Sequence, residues 1–187
     1  NRVDKLVVMA QNATQEGKNE EALKCYKAIL QIDPQNAEAD LYIFLLTPYK
    51  VKVYNPHLSE HYNNLISKFQ VFLNYLKDKH RSNEELHETI GRVWSDIYEN
   101  CFSRYNDYSA KKNLLKEIQG HSIRLEAAEK IGDSIIAEFP QLKDIAVKVW
   151  GYEVGVIYQS IAELKDETKY DPEAIDVWEG NAMTYDI

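Results

Sequence analysis

Two histidines come first among the residues that could do chemistry. "HLSEH" places His57 and His61 four residues apart, which is one side of a helix. Such a pair could supply two ligands to a divalent metal. The zinc-protease arrangement needs a glutamate directly after the first histidine, and Leu58 stands there instead. A solvated helix face is the simpler account. "ELHET" (Glu85 to Thr89) offers one further histidine, His87, among carboxylates. "GYEVG" (Gly151 to Gly155) falls inside a helical pattern and lacks the lysine of a phosphate loop. No serine is flanked by glycines in the manner of a nucleophile elbow. Carboxylates are plentiful, but none forms a recognisable acid–base pair. The residues therefore predict no catalytic site, no cofactor and no dedicated metal site. An uncharacterised helical enzyme or metal-binding protein using His57 and His61 stands as the alternative.

Composition narrows the partners. The chain has 187 residues and a net charge of −8, an acidic balance that repels phosphate backbones and argues against nucleic acid. The densest basic run, "KDKHR" (Lys77 to Arg81), sits where a helix should end, and cations there complement the helix dipole. Cys25 and Cys101 are too few for a disulfide framework. Cys25 lies on an apolar helical face and reads as a reduced core residue. The longest apolar run, "LYIFLL" (Leu41 to Leu46), is far shorter than the ~20 residues a membrane helix needs. No signal peptide is recognisable; the cysteine usage reads as intracellular, and the expected compartment is the cytoplasm. The chain starts at Asn1 without Met, which suggests a piece of a longer protein.

The elements that would position any site are all helical. Val3, Leu6, Val7, Ala10 and Ala13 recur at helical spacing, and Gly17 ends that run. Asn19 is the expected cap of a second helix carrying Ala22, Leu23, Tyr26, Ile29 and Leu30. "DPQN" (Asp33 to Asn36) stops it, because Pro34 cannot continue a helix. A third helix runs from Ala37 to Leu46. "YKVKVY" (Tyr49 to Tyr54) alternates like a strand but has nothing to pair with, so it reads as a connector. Asn55 should cap a helix with Pro56 at its first position, running to about His80. Another opens at Asn83 and reaches Phe102, and "RYNDYS" (Arg104 to Ser109) reads as a turn. Ala110 to Phe139, Leu142 to Leu164 and a short segment after Asp171 complete about eight helices in a single domain, residues 1–187.

Residues Val3 to Asn36 resemble a tetratricopeptide repeat, a helical pair of about 34 residues. Ala22 and Tyr26 reproduce the family's small residue, three-residue gap and aromatic. Gly17 stands at its turn, and "DPQN" at its closing Asp-Pro-x-Asn. Leu6, Met9, Ala10 and Ala13 take the places of the family's Trp, Leu, Gly and Tyr in the first helix. The structural residues of the repeat would be Leu6, Ala10, Gly17, Ala22, Tyr26 and Pro34. One echo follows in "EAAEKIGDSIIAEFP" (Glu126 to Pro140), where Ala128 and Pro140 keep the separation and Gly132 replaces the aromatic. A lone repeat cannot bury its own apolar face, so longer antiparallel helices should extend it, in a right-handed superhelix or a bundle.

The resemblance implies a scaffold or adaptor that binds a protein or peptide in the groove lined by first helices, with no nucleic acid and no membrane. Asp4, Val7, Gln11 and Thr14 would face that groove, with Glu38, Leu41 and Leu45 from the next helix. A subclass of the family clamps a C-terminal carboxylate with cations on those faces. Here the matching places read Val7, Gln11 and Tyr42, without a cation, which excludes that clamp. A self-associating module whose groove is filled by its own copy, a homo-oligomer, is the other alternative. The groove residues could equally pack against helices of the same chain.

Overall fold

The computed structural model describes residues 2–49, 56–79, 81–102, 114–151 and 155. Every regular element among them is helical: α1 (Arg2–Gln15), α2 (Asn19–Ile32), α3 (Ala37–Leu46), α4 (Leu58–Asp78), α5 (Asn83–Ile97), a π-helical turn (Tyr98–Phe102), α6 (Leu114–Glu138) and a 3-10 turn (Pro140–Leu142). Residues 143–151 are helical again and form α7. The cap at Asn55, the connector beyond Tyr49, the turn at Arg104 to Ser109 and the helix after Asp171 lie outside the described residues.

The contacts divide the chain into two compact units, although no linker-like stretch marks the division. The first holds α1, α2, α3, α4 from Asn64 onward, α5 and the π turn. The second holds the start of α4, α6 and α7.

In the first unit, α1 and α2 pack together through small side chains. Ala10 and Ala22 are fully buried, and Tyr26 nearly so. Gly17 takes φ +72, a left-handed conformation that a side chain would strain. Gly17 N–H then donates to the Thr14 carbonyl at 3.0 Å, and Lys18 N–H to the Ala13 carbonyl at 2.8 Å, the double closure of a Schellman motif. Asn19, expected to cap α2, is instead its first helical residue. Lys18 precedes it without a side-chain cap bond. The turn "DPQN" does more than stop α2. Asn36 caps α3 by accepting from Ala39 N–H at 3.0 Å. Its amide also reaches Asp33 and the Tyr75 hydroxyl of α4, each at 3.3 Å.

Helix α3 is buried on most sides: Ala37, Glu38, Ala39, Leu41, Tyr42, Leu45 and Leu46 all lie inside. That explains why its sequence shows no polar face. Phe69, Phe72, Leu73 and Leu76 of α4 and Ile90, Val93 and Ile97 of α5 complete the core of this unit. Helix α4 starts at Leu58, with Pro56 and His57 in a preceding turn, rather than at Pro56. Helix α5 opens on a capping box, in which Ser82 accepts from Glu85 N–H and Glu85 accepts from Ser82 N–H. Cys25 is unbridged, as expected, but only half-buried; Cys101 is unbridged and buried.

In the second unit, Leu125, Ala128, Ile131 and Ile135 of α6 and Ile145 and Val149 of α7 are buried. Gly132 lies directly under the Trp150 indole. A Cβ there would come within 2.3 Å of Trp150 Nε1. An aromatic ring from α7 thus covers the space that Gly132 leaves on α6. Among the described residues, no helix is long and apolar enough to cross a membrane.

Candidate functional site

The chemistry of the first unit gathers where α1, α3 and α5 meet. Glu38 projects from the first turn of α3, and its side chain is 9% exposed. Arg92, from the middle of α5, donates to Glu38 Oε1 through Nη2 at 2.8 Å. Gln11 of α1 donates to the same oxygen at 3.2 Å. The other arm of Arg92 donates to the Tyr42 hydroxyl at 2.6 Å, and that hydroxyl donates to Asp96 Oδ2 at 2.5 Å. Below them, the Tyr26 and Tyr42 rings stack with centroids 4.7 Å apart and planes 12° from parallel.

Each local sequence makes its contribution intelligible. Arg92 and Asp96 are four residues apart on α5 and so share a face. Glu38 and Tyr42 repeat that spacing on α3. Two four-residue steps face one another, so guanidinium, hydroxyl and carboxylates alternate. The cluster holds two carboxylates and one guanidinium, in a part of the protein largely removed from water.

Burial dominates the electrostatics. It pushes the Tyr42 hydroxyl well above its ordinary value, an effect that Arg92 only partly offsets. It likewise pushes Tyr26 upward. Burial raises the Asp96 carboxyl above its usual range; the Tyr42 hydrogen bond and Arg92 work against that, and Glu38 with it. Burial alone would lower Arg92, but the oxygens of Tyr42 and Glu38 raise it overall. Both hydroxyls therefore hold their protons more tightly than a free tyrosine does, and Arg92 lies between the Glu38 carboxylate and the Tyr42 hydroxyl.

The groove residues separate into three groups. Glu38, Leu41 and Leu45 are buried, so they serve the interior and not an open groove. Val7, Gln11 and Thr14 are half-buried. Gln11 faces Glu38, while Thr14 donates to the Ala10 carbonyl of its own helix at 2.9 Å. Asp4 is exposed. Leu6 is half-buried and Pro34 exposed. Met9, at a position the resemblance makes a packing residue, is 57% exposed.

His57 and His61 belong to the second unit. His57 is exposed, 3.5 Å from the Glu60 carboxylate. Burial lowers His61 to about 4, and its ring meets Tyr62 edge-on. Among the described residues, no three His, Cys, Asp or Glu side chains come together as a metal site would need.

No family model, curated protein or solved structure matches the chain at a significant level.

Arg92 and Asp96 are the members of the cluster that the sequence did not expose. They lie 54 residues or so beyond their partners on α3, in a helix with no repeat signature. Their only signal is the four-residue step beside the apolar stripe of α5, which a solvated face would show equally. Arg92 of α5 is the cation at this cluster, paired to Glu38 of the same chain.

Proposed function

We propose that this chain is a protein-interaction module built on a tetratricopeptide-like helical pair, with an α1–α3 face suited to holding a helix. The observation that carries the reading is the bridge from α5 to that face: Arg92 donates to Glu38 and Tyr42 of α3, and Gln11 of α1 holds the same Glu38 oxygen. The face accepts an amphipathic helix, and in this chain the helix is its own.

A partner would not displace α5. Release would expose Leu86, Ile90, Val93, Trp94 and Ile97, which are all buried. At roughly 1.5–3 kcal/mol for each buried side chain, the cost rivals the ~5–15 kcal/mol that holds a whole domain together. The partner instead meets the outer edge of α1. Asp4 and Val8 stand one turn apart there, next to Gln11, and Val8 is 56% exposed.

The test is capture of partners from the native cell by the wild type and by Val8→Glu. Because Val8 is exposed, the charge should leave the melting curve nearly unchanged, within ~0.5 kcal/mol. The proteins retained specifically by the wild type should be lost. The same proteins retained by both would place the interface elsewhere.

A further inference from the structure

We infer that Glu38, Gln11 and Tyr42 form a guanidinium-binding subsite, filled by Arg92 in the isolated chain and open to an arginine side chain presented by a partner. This rests on the reading of the α1–α3 face as an interaction surface and specifies the chemistry that the face recognises.

The pocket is built before any ligand arrives. Its carboxylate is held by Gln11 at 3.2 Å, and its Tyr42 wall is fixed by the stack on Tyr26 and by the bond to Asp96. The acceptors lie where a planar guanidinium needs them, one oxygen for each of two nitrogens of Arg92. An ammonium, with no planar fork, would satisfy this pair of acceptors less well.

The Arg92 side of the pair is the one nearer to water. The Arg92 side chain is 23% exposed, against 9% for Glu38. Its long stem can swing toward water while the backbone of α5 stays seated, so the exchange involves one side chain and not a helix. An incoming guanidinium would remake the bonds that Arg92 gives up. Gln11, at the rim, adjoins the exposed Asp4 and Val8 along α1, and the net charge of −8 favours the approach of a cationic segment.

The probe is N-acetyl-arginine amide, titrated into the Arg92→Ala protein at constant ionic strength and followed by thermal denaturation. Removal of Arg92 empties the pocket, so the ligand should raise the melting midpoint saturably. N-acetyl-lysine amide should need about tenfold more ligand or fail. The gain should vanish when Glu38→Gln is added. Arg92→Gln, whose amide can still donate to Glu38, receives the same titration, which covers poor folding of the alanine variant. A saturable, Glu38-dependent gain in either variant supports the subsite. Its absence in both, or an equal response to arginine and lysine amides, overturns it. Capture by wild type and Val8→Glu reads the interaction surface without involving the pocket, so the two readings can fail independently.

Discussion

The Arg92 guanidinium and the Glu38 carboxylate lie 2.8 Å apart across 54 residues of sequence. The pair joins α3 to α5. It makes the α1–α3 face an internal interface, and it separates two residues that sequence alone would treat alike, Asp4 and Gln11.

Asp4→Ala should change stability by no more than ~0.5 kcal/mol, because Asp4 is exposed. Gln11→Ala removes a hydrogen bond to a buried carboxylate and should cost about 1.5–3 kcal/mol. Urea denaturation of the two single variants distinguishes them. Equal, small effects would mean that Gln11 does not hold Glu38.

This contrast shows what the sequence could reveal. The bounds of α1, α2 and α3 were legible because Gly17, Pro34 and the 3.6-residue spacing act over a few residues. The burial of Ala22 and Tyr26 follows from the same local pattern. The filling of the face was not legible. Periodicity tells which side of α5 is apolar, but not which carboxylate Arg92 will find. Asp96 and Arg92 flank the apolar stripe, where polar residues usually meet water. The Trp150 ring over Gly132 was hidden for a similar reason: a glycine reports the space it leaves, not its occupant.

That occupant yields a sharp expectation. Gly132→Ala would drive a methyl group to within 2.3 Å of the Trp150 indole. The overpacking should cost about 1–3 kcal/mol in chemical denaturation. Combining it with Trp150→Leu should recover part of the loss relative to Trp150→Leu alone. A stable Gly132→Ala protein with unchanged Trp fluorescence would show that the indole is not seated there.

The buried carboxylate gives a pH signature. Asp96 has a raised pKa in the folded chain, so the folded state holds its proton more tightly than the unfolded state. Its favourable contribution is complete below the unfolded pKa and is lost as pH rises through the folded one. Asp96→Asn mimics the protonated form and keeps an acceptor for Tyr42. The stability of this variant relative to wild type should therefore be greater at pH 7 than at pH 4. A difference independent of pH would remove Asp96 from the buried cluster.

The histidines act in the opposite sense. Burial lowers His61 to about 4, and burial with the charge of Arg124 lowers His121 to about 4, against about 6.5 in an unfolded chain. The folded state binds these protons less tightly. Stability present above about pH 6.5 should decline as pH falls through the window toward 4. Between pH 6.5 and 5, His61→Gln with His121→Gln should flatten that decline. An unchanged slope would contradict the burial of both rings.

A double-mutant cycle on Glu38→Ala and Arg92→Ala tests the pairing of α5 with α3 most directly. Arg92→Ala alone leaves a carboxylate buried without its cation, a loss of about 3 kcal/mol or more for a well-buried pair. Removing both partners should cost less than removing Arg92 alone, with a coupling energy of about 1–3 kcal/mol by urea denaturation. Two losses that simply add, within about 0.5 kcal/mol, would mean that Arg92 and Glu38 are not paired between α5 and α3.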